Sequence, residues 1–503
     1  MPSLRHTNRA VLRRFVRNFT ALIFAGGLFH GAFVTDVGMA KVDLQGRASQ
    51  TARFFLDDKR LRHQITEIGL RQVADVSEGV TTVVDGRLRY DSALFPTPTI
   101  KFRNYSKEVR EDEGFEADTR QVYVDWLTEN WAMKIGRIQF DWMESLSPRT
   151  SDAVTALDLR YGGFDNAAQI IEPVEAFSAN SSVGFGSVEF MLVPRGKHHR
   201  LPKGENGYGY REKVNGLLDG VSRVLIASGL EGTVKQRLVS GEIRRGVNEG
   251  EVGARFLSSA GGVDFSAFAW RGHQRTPSLD LTLVESVGSG EQSPLWELDV
   301  TENFPRMNSY GAFASYGGDA FVLRVFSLYE PRRAPSLVVE SELASILVLA
   351  SGDTSQFLGD SSYRRGAIED RLRSGGGFDY VFSKHLKLYS EGYATASRVT
   401  GKSVAGTELD ETAWDYTGTL RLTNESFEDW FISCDSTVTG PERSWLINPD
   451  VTLAWGGSEN SDNSGNSWKI SVGGWFIESD SEKSALRILR GARQAYMRLA
   501  TWF

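Results

Sequence analysis

Polar and apolar side chains alternate at every second position in one short segment after another of this chain, and charged residues sit in mid-segment. Gly86, Leu88 and Tyr90 alternate with Asp85, Arg87, Arg89 and Asp91. Val252, Ala254 and Phe256 alternate with Glu251 and Arg255, and Val263, Phe265, Ala267 and Ala269 with Asp264 and Ser266. Gly418, Leu420 and Leu422 alternate with Thr417, Thr419, Arg421 and Thr423. Ile470, Val472, Gly474 and Phe476 alternate with Lys469, Ser471 and Gly473. Successive side chains of a strand point to opposite faces, so each segment has one apolar and one wet face. Glycine-rich breaks such as Ser259–Gly262 and Gly317–Asp319 separate the segments, as hairpin turns do. The pattern specifies an all-β, antiparallel chain, either a soluble sandwich or a closed membrane barrel.

The character of the wet face favours the barrel. Arg and Lys occupy it repeatedly, while Trp and Tyr stand near segment ends: Trp126, Trp131, Trp142, Trp270, Tyr310, Tyr316, Tyr329, Tyr393, Trp414, Trp430, Trp455 and Trp468. A transmembrane barrel has an apolar outside, a polar lumen and aromatic girdles at both interfaces. It has to close, because lipid cannot satisfy an open sheet edge. Membrane helices are excluded, since no stretch reaches the roughly 18 apolar residues that a span needs. Disorder is excluded by 41% hydrophobic against 24% charged residues. The mean hydropathy of -0.29 is then an average over two unlike faces. Gln494–Phe503 puts Ala495, Met497, Leu499 and Phe503 on one face, with Tyr496, Arg498 and Trp502 on the other. An alternating strand closing on Phe503 resembles the terminal strand of bacterial outer-membrane barrels, and the resemblance implies recognition by the assembly machinery. Within Trp131–Trp142 the apolar residues change face around Gly136, which predicts a β-bulge there.

Residues 1–40 read as an export signal. Arg5, Arg9, Arg13, Arg14 and Arg17 precede the apolar run Ala21–Val34, and small residues at Gly38 and Ala40 mark cleavage after Ala40. Fourteen residues rise about 21 Å as a helix, short of a ~30 Å hydrocarbon core. Cleavage removes five arginines and one aspartate, leaving 463 residues with 52 basic and 63 acidic groups, net -11. A net-acidic chain gives nucleic-acid binding no support. The remainder, 41–503, is expected to be one transmembrane antiparallel β-barrel of about 16 strands (14–18), allowing ~10 residues per strand plus loops. Three long stretches, Glu144–Asp165, Pro194–Glu249 and Ser336–Gly377, are expected to be outer loops or lumen plugs, the second part helical and the third with helical spacing at Leu343, Ile346, Leu347 and Ala350.

Asp118–Arg137, continuing through Gln139 and Asp141-Trp142, resembles a strand pair of a large proteobacterial family of outer-membrane barrels, most of them uncharacterised. Gly250–Arg255 with Val263-Asp264, Phe304–Gly311 and Gly377–Tyr380 are similar to further strands of it. Where the family is expected to have Trp-Gly, this chain has Trp142-Met143. The resemblance implies a porin-like channel, distantly similar to alginate-export porins, and implies no particular substrate.

Motifs for chemistry are few. Cys434 is the one cysteine, which excludes an intrachain disulfide and a thiolate metal cluster. His198-His199 lacks a third ligand at metal spacing and is read as a pair of solvated loop residues. Asn460, Asp462 and Ser464-Gly465 mimic the start of a calcium loop, but Ser471 stands where the bidentate acid belongs. No zinc-protease, nucleophile-elbow or phosphate-loop motif occurs, so neither catalysis nor a cofactor or metal is expected. The functional lead is the wet face itself. Arg87, Arg89, Arg255, Arg324, Lys387, Arg421, Lys469 and Arg498 are candidate pore-lining residues, with Asp85, Asp91, Glu251, Asp264 and Glu391 among them. Such cations attract anions into a pore; paired with acids across strands, they stiffen its wall instead. The expectation is a monomeric or trimeric outer-membrane channel passing small solutes or an anionic polymer, in contact with outer-membrane lipid and the barrel-assembly machinery. A plugged structural or adhesion barrel and an outer-membrane hydrolase are the alternatives.

Overall fold

A computed structural model describes residues 41–57, 59–94, 114–140, 142, 154–160, 170–200, 234–239, 249–286, 295–334, 368–402, 408–427, 430–440, 444–456, 467–478 and 493–502. The expected signal segment, Phe503, the calcium-like Asn460–Gly465 and the helical spacing at 343–350 lie outside the described residues. Twenty-one strands follow one another: β1 (Lys41–Phe55), β2 (Arg60–Ser77), β3 (Val80–Asp91), β4 (Phe115–Leu127), β5 (Trp131–Ile138), β6 (Val174–Val183), β7 (Gly186–Val193), β8 (Val234–Val239), β9 (Glu251–Ala260) and β10 (Val263–His273). Then come β11 (Ser278–Ser286), β12 (Leu295–Asn303), β13 (Arg306–Gly317), β14 (Phe321–Arg333), β15 (Ile368–Val381), β16 (Leu386–Lys402) and β17 (Glu408–Phe427). The last are β18 (Trp430–Gly440), β19 (Ser444–Gly456), β20 (Ser467–Glu478) and β21 (Gln494–Trp502). No helix among the described residues is long and apolar enough to cross a membrane.

Eighteen of these strands form one sheet in which each pairs antiparallel with its neighbours, and β1 pairs with both β2 and β21. The register from Arg47↔Trp502 to Phe55↔Gln494 closes the sheet into a barrel. Strand β21 therefore has no open edge, which disposes of the aggregation hazard that its apolar face would otherwise pose. The count is 18 rather than about 16. Connections at one end are so short, as at 78–79, 184–185 and 261–262, that the chain length accommodates an extra hairpin. Gly261 and Gly262, at φ 59° and 80°, supply the left-handed pair that a two-residue hairpin needs. The longest connections, between β3 and β4, β5 and β6, β7 and β9, β10 and β13, and β14 and β15, lie at the other end. There β8, within the loop stretch Pro194–Glu249 expected to be in part helical, pairs parallel with β12, and β12 pairs antiparallel with β11, in a separate three-stranded sheet.

The two faces differ as the alternation requires. Leu44, Ile68, Ile135, Phe190, Val252, Phe265, Val325, Leu420, Val472 and Met497 are exposed on the outward face. Trp126, Trp131, Tyr316 and Trp468 are exposed near the short-turn end, and Tyr90, Tyr310, Tyr329 and Trp414 toward the long-loop end. Three aromatics expected among these turn inward. Trp142 and Trp270 are buried inside the barrel, and Tyr393 packs against the same interior cluster. For Trp270 the reason is parity: it shares its strand face with Asp264, Ser266 and Phe268 rather than with Phe265.

Gly136 is a kink and not a bulge. Its φ is +137°, and a Cβ there would lie 2.2 Å from the Val122 carbonyl oxygen, yet the β4–β5 register runs through it unbroken. The bulge falls one hairpin earlier, where Asp85 pairs with Gln121 but Gly86 pairs with Thr119. The extra residue is Arg120.

Candidate functional site in the barrel interior

The interior wall of β1–β4 is built from charge. Arg89 donates to Glu67 from Nε and Nη2 at 3.2 and 3.1 Å, and Arg47 reaches the other oxygen of the same carboxylate. Arg87 contacts Glu116 at 3.4 Å and Asp118 at 3.9 Å. The bulge decides what comes next. Gln121 and Asp118 are three residues apart and would face opposite ways in a regular strand; the extra residue lets both face inward. Arg120 then reaches Glu172 at 3.6 Å and donates to the Ile171 carbonyl.

Two segments from the long-loop end enter the barrel and complete this wall. Residues 154–160, between β5 and β6, are almost wholly buried. Arg160 donates to Asp158 of its own segment and to Glu116 of the wall, each at 2.7 Å, and Asp158 lies 3.9 Å from Arg89. Burial would raise the Asp158 pKa, but Arg160, Arg200 and Arg89 overcome it and hold the carboxyl well below the usual range. Residues 197–200, after β7, run beside this segment. The Arg200 amide donates to the Leu157 carbonyl at 2.8 Å, the Leu159 amide donates to the Arg200 carbonyl at 2.8 Å, and the Arg200 guanidinium bonds Glu116. Burial, with Arg137 nearby, depresses the Lys197 pKa; its ammonium bonds the Pro173 carbonyl at 2.5 Å.

An apolar anchor holds the first segment from the other side. Trp142 meets Trp270 edge-on at 5.3 Å and Phe268 at 5.6 Å, with Val154, Met191, Val193, Phe313 and Leu328 in the same cluster. Gly253 makes room for it, since a Cβ there would lie 2.2 Å from Trp270 and 2.7 Å from Trp142. Beneath it Arg275 grips Glu251 with two hydrogen bonds of 2.8 and 2.7 Å and donates to the Lys197 and Val154 carbonyls.

The eight cations singled out in the sequence all occupy inward register positions, but they do not form one ring. Arg87 and Arg89 stand side by side in the charged wall, each 4% exposed. Arg255 bonds Glu189 at 3.0 Å and lies 5.6 Å from the Trp142 ring. Arg324 pairs with Asp379, and Arg421 with Asp435 at 2.6 Å. Arg498 donates to Thr51 at 3.1 Å, and the Lys469 ammonium sits 5.0 Å from the Trp502 ring. Lys387 registers with Thr423 on the inward row of β17. Arg47, Arg120, Arg160 and Arg200, with Glu67, Glu116, Asp118, Asp158 and Glu172, are the members that the alternation did not single out. His199 is half-buried and hydrogen-bonded to the Leu157 amide rather than solvated, and the His198 ring stacks on Phe304 at 4.4 Å. Among the described residues no group of three or more His, Cys, Asp or Glu is arranged to hold a metal ion.

No family model matches the chain, and no curated protein matches it. Solved structures do. The chain is similar to OmpT, an outer membrane protein of Vibrio cholerae, in its trimer form, at 9% identity and a TM-score of 0.38, over 93% of this chain and 99% of that one. It is also similar to Pseudomonas aeruginosa OpdK with vanillate, at 9% identity and a TM-score of 0.46, over 92% and 98%. Acinetobacter baumannii OccAB2 matches at 9% identity and a TM-score of 0.46, over 92% and 97%.

Proposed function

We propose that this chain is an outer-membrane, porin-like channel that passes small solutes or an anionic polymer passively, with a preference for anions. One observation carries the reading: a closed barrel, apolar outside and charged inside, has a loop segment docked on its inner wall through Arg160, Asp158 and Glu116. An apolar belt with aromatic rows at both ends suits lipid, and a closed ladder leaves no unsatisfied edge in it. A segment fixed inside narrows the path and sets arginines beside it, where a low dielectric strengthens their pull on anions.

In this reading the partners are outer-membrane lipid, the assembly machinery that takes up the last strand, and the passing solute, and the protein is not an enzyme. The test is the refolded protein in a planar bilayer under a salt gradient. Discrete conductance steps with a reversal potential on the anion side support the reading. A barrel that inserts without conducting favours the plugged structural or adhesion role, for which the buried loop segment is the specific observation.

A further inference from the structure

We propose that His199 is a proton-operated latch on the segment inside the barrel: uncharged, it holds residues 154–160 against 197–200, and protonated, it releases them. The geometry specifies the protonation state. The Leu157 amide donates to His199 Nδ1 at 2.9 Å, so that nitrogen must carry a lone pair rather than a proton. The bond is one of a set along a short parallel bridge, with the Arg200 amide to the Leu157 carbonyl and the Leu159 amide to the Arg200 carbonyl. A proton on Nδ1 sets N–H against N–H in the middle of that bridge.

The surroundings give an imidazolium no compensation. On its own segment stand Lys197, His198 and Arg200, all basic. From the stretch after β10 comes Arg275, whose carbonyl accepts the His199 amide at 3.0 Å and whose guanidinium is committed to Glu251. From the latched segment come Asp158 and Arg160, bonded to each other and to the wall. Burial first, then the charges of Arg275 and His198, hold the His199 pKa down to about 3. A released imidazole titrates near 6.5. Each pH unit below that shifts the balance about tenfold toward release, or about thirtyfold by pH 5.

Amide hydrogen exchange of the refolded barrel at pH 7.5 and 5.0, corrected for intrinsic rates, reads the latch without reference to conduction. The expected result is that protection of the Leu157 amide falls at least tenfold at pH 5.0 while amides of β1 and β21 keep theirs. Equal protection at both pH values overturns the proposal. The conductance arm rests on the channel reading: wild-type conductance rises between pH 7.5 and 5.0, and His199→Asn, whose amide oxygen can accept the Leu157 N–H, abolishes the rise. An unaltered rise in that variant also overturns the latch. A non-conducting barrel that shows the exchange change retains the latch and refutes the channel.

Discussion

One guanidinium nitrogen of Arg160 stands 2.7 Å from Glu116 of the barrel wall and 2.7 Å from Asp158 of its own segment, so a single side chain joins loop to wall. Arg160→Met should leave two buried carboxylates short of a partner, at a cost of about 3–5 kcal/mol for breaking a buried ionic contact from one side. The segment is then expected to leave the wall before the barrel unfolds. Hydrogen exchange of the 154–160 amides reports this: in a urea titration their protection should be lost ahead of the gel-mobility change that marks barrel opening. Coincident transitions in the variant contradict the assignment.

The apolar side of the same attachment depends on Trp142. Trp142→Ala removes a ring in contact with Trp270 and Phe268 and leaves a cavity, an effect of about 3–5 kcal/mol. Hydrogen exchange of the 154–160 amides is the measurement, and the variant should exchange several-fold faster than the wild type. An unchanged rate argues that the charged contacts alone hold the segment.

Asp158 and His199 differ in the pH range over which they act. The folded-state pKa of Asp158 is depressed, so its contribution is fully present above the ordinary carboxylate value of about 3.9 and is lost only as pH falls through the depressed one. His199 is also depressed, but as a base: docking loses about 1.4 kcal/mol per pH unit as pH falls from about 6.5 toward about 3. Loosening between pH 6.5 and 4.5 therefore belongs to His199. Asp158→Asn should weaken docking at pH 7 and leave the slope over that interval unchanged, as read by hydrogen exchange of residues 154–160. A flattened slope in Asp158→Asn contradicts the assignment.

Arg398 and Asp410 form a two-bond pair of 2.8 and 2.9 Å, but on the outward rows of β16 and β17, where both are exposed. Solvated pairs of this kind contribute little. Arg398→Ala is expected to leave the urea midpoint and the ion selectivity at wild-type values, whereas a change in selectivity would place that face in the conduction path.

What could be read from the sequence follows strand parity. Asp85, Arg87, Arg89 and Asp91 take the inward face that their alternation assigns, and Met497 and Leu499 the outward one. Trp270 carried the same information: its parity with Asp264 and Ser266 marked it as inward, and its place near a strand end obscured this. Arg120 could not be assigned, because period 2 puts it with Glu116 and Asp118 but opposite to Gln121, and only a bulge that no residue type announces lets both sets face inward. Asp158, Arg160 and Arg200 were hidden for a different reason. They lie in loops, where side-chain direction has no period, and Arg160 and Arg200 meet Glu116 from 44 and 84 residues away in sequence only once those loops fold into the barrel. The two extra strands were lost to turn length, since an average per strand does not foresee two-residue turns at one end.

Single-channel recording under a salt gradient, comparing the refolded wild type with the Arg87→Gln/Arg89→Gln double variant, decides whether the charged wall lines a conducting path. Conducting steps with anion preference are expected in the wild type, and a reversal potential displaced toward cations in the variant. A wild-type barrel that inserts and passes no current, or a variant with unaltered selectivity, would contradict that role of the wall.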